Sequence, residues 1–236
     1  EVNSEGYYDV NPLVAIENPE AILQGWDQQV VTNRIYATAS VDYKIFNDLT
    51  ATARFGTNLM DSRLDLYEND KFQVGRGLNG RSSIINNEST YYISEFLANY
   101  EKTLGNHNFK VLGGITYESN QTRRHYSRAS DMLSNVTLTN LQQSGNQETL
   151  IAESDKFKNT LQSSLARINY SFKDKYLITA SVRRDGTSRF SDKYKYATFP
   201  SASVGWKVTS EPFMDNIDLF SELKLRAGYG EIGNQG

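Results

Sequence analysis

Between Arg34 and Leu59 the residues alternate between apolar and polar with a period of two, twice over, across a connection of only a few residues. Ile35, Ala37, Ala39, Val41, Tyr43 and Ile45 fall on one row, and Tyr36, Thr38, Ser40, Asp42 and Lys44 on the other. After Asn47-Asp48 the pattern resumes, with Leu49, Ala51, Ala53, Phe55, Thr57 and Leu59 against Thr50, Thr52, Arg54, Gly56 and Asn58. Successive side chains of a strand point to opposite faces, so this spacing predicts two half-buried strands joined as a hairpin. The ribbon recurs downstream, and its connections are alternately very short and very long. That combination predicts an all-β chain, a transmembrane antiparallel β-barrel segment with short periplasmic turns and long extracellular loops, and it points to transport rather than catalysis.

Residues 1–33 are punctuated by Asn11-Pro12, Asn18-Pro19 and Gly25 and read as an extracellular loop region, with a helical turn at Ala21 to Leu23. Barrel hairpins occupy 34–230. The first runs to about Asp61 and continues through Leu64, Leu66 and Phe72; residues 73–89, rich in Gly, Asn and Ser, read as a loop. The second spans Thr90 to Ser127, turning at Gly105-Asn106-His107-Asn108, and sets Phe96, Ala98 and Tyr100 against Phe109, Val111, Gly113, Ile115 and Tyr117. Residues 129–158 form another long loop, with a structured excursion around Met132 to Leu141. The third hairpin places Ala166, Ile168, Tyr170 and Phe172 opposite Tyr176, Ile178, Ala180 and Val182 around Lys173-Asp174-Lys175. Asp185 to Lys195 reads as a loop, Ala202 to Val208 as a seventh strand and Leu223 to Tyr229 as an eighth. Phe46, Phe109, Phe172 and Tyr176 all sit beside short turns, where amphipathic rings favour the headgroup level of a membrane.

Composition removes other classes. The net charge of −3 and pI near 5.5 supply no basic field, which argues against a nucleic-acid partner. No run approaches the ~20 apolar residues of a spanning helix, while a mean hydropathy of −0.58 is compatible with barrel strands that show lipid only at every second residue. Cysteine is absent, so disulfide frameworks and thiolate metal sites are excluded. The chain starts at Glu1-Val2-Asn3 without an initiator Met, a charged n-region or an apolar h-region, and reads as a piece of a longer chain.

Chemistry-bearing patterns are few. Gly75-Arg-Gly77-Leu-Asn-Gly80 matches the dinucleotide fingerprint literally, but Arg81-Ser-Ser-Ile-Ile-Asn-Asn follows with breakers and no helical stripe, so it reads as a loop. Asp61, Asp65, Glu68, Asn69 and Asp70 form an acidic cluster of the sort that can hold calcium; the spacing fits no EF-hand, and a solvated strand end is the better reading. His107 and His125 lack a nucleophile or metal-site partner, so no cofactor and no catalytic group is assigned. The polar rows name the lumen-lining candidates Asp42, Lys44, Arg54, Arg167, Arg183, Lys207, Lys224 and Arg226. Tyr7, Tyr8, Tyr91 and Tyr92 offer faces on which a sugar ring can stack, though packing between loops is the plainer role.

From Tyr176 onward the residues carry more than periodicity: Ala180-Ser-Val-Arg-Arg-Asp-Gly-Thr-Ser-Arg-Phe190, Phe199-Pro-Ser-Ala-Ser-Val-Gly-Trp-Lys207, Glu211-Pro-Phe-Met214, Leu223-Lys-Leu-Arg-Ala-Gly-Tyr-Gly230 and Gly233-Asn-Gln235. With Phe96-Leu-Ala-Asn-Tyr-Glu101 and Asn11-Pro12-Leu13 upstream, the chain resembles the barrel of the SusC/RagA family, TonB-dependent outer-membrane transporters of Bacteroidetes. The resemblance implies about eight strands of a 22-stranded barrel, an N-terminal plug that is not in this chain, a SusD-like lipoprotein lid, and TonB-driven import of oligosaccharide or peptide. In that setting Arg183, Arg184 and Arg189 become partners for acidic groups of the plug. Two other readings remain beside it: a passive outer-membrane channel, and a soluble extracellular all-β binding domain whose apolar rows pack between two sheets.

Overall fold

The computed structural model describes residues 18–71, 73–133, 139–215 and 219–233. Tyr7, Tyr8, the Asn11-Pro12-Leu13 segment and Phe72 lie outside these residues, as does the end of the Gly233-Asn-Gln235 block. A short helix, α1 (Pro19–Gly25), is capped by Asn18, whose side chain accepts from Glu20 N–H. The strands follow: β1 (Trp26–Phe46), β2 (Leu49–Glu68), β3 (Arg81–Leu104), β4 (His107–Ser130), β5 (Ile151–Phe172), β6 (Tyr176–Thr187), β7 (Tyr196–Lys207) and β8 (Lys224–Gly230), with a helical turn, α2 (Gln73–Arg76), between β2 and β3. They form one antiparallel sheet in sequence order, with β1 and β8 at its edges.

The three short turns fall where the alternation breaks, at Asn47-Asp48, Gly105-Asn106 and Lys173 to Lys175. Gly105 has φ +60°, which glycine adopts freely, whereas Lys173 and Asp174 take +53° and +54° without that freedom. Several strand limits differ from those the sequence predicts. β1 begins at Trp26 rather than Arg34, β3 at Arg81 rather than Thr90, and β5 at Ile151 rather than after residue 158. His107 is the first residue of β4 instead of a turn residue, and Asp185-Gly186 lies within β6 instead of opening a loop. The strand extensions 26–33, 81–89 and 151–158 mix polar and apolar residues on both rows, Val30 beside Val31 and Ile84 beside Ile85, so they carry no period-2 signal to detect.

Two units of contact are distinguishable. The first comprises residues 1–35, 58–90 and 121–157. Within it Tyr67, Ala129 and Met132 are buried and Leu141 packs against them, so the predicted excursion around Met132 does have a small core. A Met132–Ser144 bridge closes it, and Ser144 Oγ donates to the Ser130 carbonyl at 2.6 Å while Thr149 Oγ1 donates to the same carbonyl at 3.0 Å. Gly80, at φ +83°, passes the Tyr67 hydroxyl so closely that a Cβ there would sit 3.1 Å from it. Glu68, almost fully buried, pairs with Arg81.

The second unit comprises residues 36–57, 91–120 and 158–236. Its register is explicit: Phe172 opposes Tyr176, Ile168 opposes Ala180 and Arg167 opposes Ser181 in β5–β6; Ile178 opposes Val204 and Ser181 opposes Ser201 in β6–β7; Val204 opposes Ala227 and Lys207 opposes Lys224 in β7–β8. Opposed residues share a face of the sheet, so this register decides which side chains meet.

Candidate functional site

Within the second unit the register sorts β5–β8 into two chemically distinct faces. On one lie Ile168, Tyr170, Phe172, Tyr176, Ile178, Ala180, Val204, Trp206, Leu225 and Ala227. Several of them are open among the described residues: Ile168 is 41% exposed, Ile178 47%, Val204 56% and Leu225 55%. Apolar residues this open, along four consecutive strands, form a patch that in water would be a liability. The opposite face carries Arg167, Asn169, Thr179, Ser181, Arg183, Ser201, Ser203, Gly205, Lys207, Lys224 and Arg226. Asn169 accepts from Thr179 Oγ1 at 2.9 Å, and the Ser181 and Ser201 hydroxyls pair at 2.7 Å.

The polar-row candidates separate into two groups. Asp42 accepts from Thr52 Oγ1 at 2.5 Å, Arg54 pairs with Glu95 at 2.9 Å, and Arg183 binds Asp185 at 2.7 Å while also donating to Ser163 Oγ at 3.0 Å. The Arg183 guanidinium thus finds its acid two residues along its own strand. Among the described residues, no ion pair or side-chain hydrogen bond engages Lys44, Arg167, Lys207, Lys224 or Arg226. Arg184, one position from Arg183, points to the other face and stacks on the Tyr196 ring at 5.0 Å. Glu95 is not singled out in the sequence, and Asp185 reads there only as the opening of a loop. The register that brings Glu95 to Arg54 is not a local property of sequence, and the Asp185 contact is hidden because Asp185 reads as the start of a loop and not as a strand residue.

At the short-turn end of the apolar face the aromatic residues converge. His107 lies 4.8 Å from Phe172 between ring centroids, Phe109 lies 5.0 Å from Tyr170, and Phe172 lies 6.4 Å from Tyr176. His107 Nδ1 and the Tyr170 hydroxyl are 2.8 Å apart, so this histidine joins the aromatic cluster and not a reaction site. Phe109, Phe172 and Tyr176 are therefore at one level, as the sequence predicts. Phe46 ends β1 on the alternation row of Asp42 and Lys44 and does not join them. Glu211, in the β7–β8 connection, ties this end together. Its carboxylate accepts from Tyr176 Oη at 2.8 Å and Trp206 Nε1 at 3.0 Å, with Lys175 Nζ at 3.4 Å. Hydrogen bonds from Trp206 and then Tyr176, and after them the Lys175 ammonium, hold the Glu211 carboxyl below the usual carboxylate range against a smaller opposing effect of burial.

The remaining candidates are not assembled into a site. Tyr91 and Tyr92 are neighbours in β3 and point to opposite faces, Tyr91 donating to Glu118 at 3.0 Å and Tyr92 stacking on Phe55 at 6.2 Å. They cannot form one stacking clamp. Of the acidic cluster, Asp65 is engaged by Arg63 at 2.9 Å, and among the described residues no three acidic or histidine side chains converge on one point. The Gly75 to Gly80 motif runs from a helical turn into β3, the reverse of the strand-to-helix order a dinucleotide requires.

Comparison with known proteins matches this geometry. A family model described as TonB dependent receptor-like, beta-barrel matches residues 3–235. TonB-dependent receptor P3 of Formosa agariphila is 30% identical over 234 residues, covering 98% of this chain and 23% of that protein. TonB-dependent receptor SusC of Bacteroides thetaiotaomicron is 28% identical over 235 residues, covering 99% of this chain and 23% of that protein. The solved structure of the RagAB peptide transporter superposes with a TM-score of 0.80 at 18% identity, over 89% of this chain and 23% of that one, a likeness of fold. The chain spans 23% of the length of both relatives.

Proposed function

The chain belongs to the TonB-dependent receptor-like β-barrel family, and from that membership we propose that it forms part of the wall of an outer-membrane nutrient importer. The uncovered apolar face contacts acyl chains, and the polar face, with Asp42, Lys44, Arg54, Arg167, Arg183, Lys207, Lys224 and Arg226, lines the barrel interior. The aromatic cluster around Phe172 and Tyr176 sits at the periplasmic headgroup level, and the long connections face outward. The observation that carries the reading is this segregation of faces across a sheet whose whole length matches one receptor family.

Import is active and energised by TonB, which acts through a plug outside this chain. The outer loops and lumen bind cargo beneath a SusD-like lipoprotein, and force on the plug opens a path to the periplasm. Cargo is an oligosaccharide or a peptide; the RagAB likeness, to a peptide transporter, supports the second. The exposure of Ile178, Val204 and Leu225 favours this account over a soluble two-layer sandwich, where those residues meet a second sheet. Uptake by cells carrying the full-length protein, with and without TonB, is the test. Uptake that requires TonB agrees with active import, and equal uptake in both strains makes the protein a passive channel.

A further inference from the structure

The register divides the apolar face of β5, β6 and β7 into lateral rows whose chemistry changes with height. Phe172, Tyr176 and Trp206 form the row at the short-turn end, and Ala166, Val182 and Pro200 form a row near the other end. One step further along β6 the same face presents Ser164, Arg184 and Thr198, a guanidinium between two hydroxyls. The stretch from Tyr176 to Arg184 has the length, ~9–11 residues, that a tilted barrel strand needs to cross a bilayer. Arg184 is exposed and stands on the Tyr196 ring at 5.0 Å, and that ring lies across Gly186, where a Cβ would sit 2.4 Å from Tyr196 Cε1. The stack occupies the face of the guanidinium and leaves its N–H edge open. The lateral neighbours Ser164 and Thr198 and the diagonal neighbours Gln162, Ala166, Tyr196 and Pro200 include no acid. Strand β6 lies inside the sheet and both strands that flank it are described throughout, so this lack of an acid belongs to the fold. Directly below the Arg184 row, Val111, Ala166, Ile168, Ala180 and Val182 line a groove of about 320 Å³, low where the two alanines alternate with Ile168 and Val182.

We infer that this groove and the row above it bind one phosphorylated lipid of the outer leaflet, with its phosphate on Arg184, Ser164 and Thr198 and an acyl chain along Ala166 and Ala180. The inference rests on the apolar face meeting lipid, as proposed above, and adds that one lipid has a fixed place there. Charge complementarity selects the occupant. The guanidinium offers a planar fork of N–H donors and each hydroxyl one more, a set that matches the several oxygens of a phosphate. Neighbouring strands lie ~5 Å apart, so both hydroxyls flank Arg184 within the reach of a single phosphate group. From Arg184 to Lys195 the chain also carries Arg189, Lys193 and Lys195 against Asp192, while Asp185 is held by Arg183, so the field at this end is positive. The groove adds what a free phosphate ion has no use for, an apolar recess whose volume falls in the ~300–1,000 Å³ range of ligand sites.

The test uses the full-length receptor, stripped of lipid in detergent and titrated with diphosphoryl lipid A, with the same lipid dephosphorylated, and with inorganic phosphate. Bound lipid is counted by native mass spectrometry. The wild type is expected to bind the phosphorylated lipid ~10-fold or more tightly than the dephosphorylated one, and inorganic phosphate is expected not to displace it. Arg184→Gln is expected to remove that preference. Ala180→Leu, which fills the groove and leaves the charge, is expected to weaken both lipids. Arg167→Gln, a charge lost from the opposite face of the same strands, is expected to change neither. The comparison of the two lipids uses the wild type, so it decides the matter even where a variant folds poorly. Displacement by inorganic phosphate, an unaltered preference in Arg184→Gln, or a protein dimer that takes the place of lipid and that Ala180→Leu dissociates would each overturn the inference. Equal affinity for the two lipids would also overturn it, and would leave the facing of the sheet intact. A receptor that shows the preference yet takes up cargo equally with and without TonB would refute active import and leave the lipid site standing.

Discussion

Glu211 shows how much a single carboxylate organises in this chain. It binds a tyrosine from the start of β6 and a tryptophan from the end of β7, and so fixes the β7–β8 connection to the aromatic level. Because its folded pKa is lowered, the stabilisation is fully present above the ordinary carboxylate value and is lost as pH falls through the folded one. Thermal unfolding of the full-length receptor in detergent, followed from neutral to acid pH, is therefore expected to weaken less for Glu211→Gln than for the wild type; parallel curves would contradict the assignment. A second residue-scale test concerns facing. Ala180 lies on the apolar face farther from the aromatic cluster than Val204, so Ala180→Arg is expected to cost roughly 2–4 kcal/mol of folding into lipid vesicles and Val204→Arg less. Thr179→Arg, on the polar face, is expected to cost far less than Ala180→Arg. Equal costs at 179 and 180 would show that the sheet does not separate lipid from interior. At this scale the sequence was partly readable: the rows of Arg167, Arg183, Lys207, Lys224 and Arg226 followed from alternation, the facing of Arg184 did not because it reads as a loop residue, and the opposite facing of Tyr91 and Tyr92 was implicit in their adjacency. Glu95 was invisible as a partner because register is set by strands distant in sequence, and Asp185 because it reads as the first residue of a loop although it continues β6.

Among the elements, the hairpins around short turns were legible from the sequence and the distal strand ends were not. Asn47-Asp48, Gly105-Asn106 and Lys173 to Lys175 interrupt clear alternation, whereas Trp26 to Asn33 and Arg81 to Ser89 continue as strand with polar residues on both rows. Period two is imposed only where the two faces meet different surroundings, so a strand with like environments on both sides leaves no trace of itself. The turn at Lys173-Asp174 invites a stabilising change. Both residues are left-handed, a conformation that costs ~1–2 kcal/mol for residues other than glycine, Asn and Asp. Asp174 offsets this by accepting from Asn108 Nδ2 at 3.0 Å, while Lys173 contributes a cation–π contact with Phe172 at 5.4 Å. Lys173→Gly is therefore expected to raise stability by up to ~1 kcal/mol, read as a higher unfolding midpoint. Asp174→Gly is expected to gain less, or nothing. A larger gain at 174 than at 173 would contradict this reading of the turn. At Gly114 the strand pair sets a steric limit, since a Cβ would lie 2.4 Å from Leu97 Cδ2 and 2.8 Å from the Phe96 carbonyl oxygen. Gly114→Ala is expected to destabilise by ~1–3 kcal/mol by forcing β3 and β4 apart, again by unfolding midpoint; a neutral result would mean that the pair accommodates it.

For the molecule as a whole, eight strands in one antiparallel sheet and membership of a receptor-like barrel family fix the architecture of this stretch. Strands β5 to β8 supply a sheet with one apolar face and one polar face, which the proposed function assigns to lipid and to the barrel interior. Strand β6 tests that claim because this chain has no cysteine, so a thiol introduced into it is unique within the segment. Spin labels attached in turn at positions 178 to 183 of the full-length receptor in bilayers would report collision with oxygen, which concentrates in lipid, and with a water-soluble nickel complex. The account predicts a strict alternation, with labels at 178, 180 and 182 accessible to oxygen and shielded from nickel, and labels at 179, 181 and 183 showing low oxygen accessibility. Uniform accessibility along β6, or the opposite alternation, would contradict it.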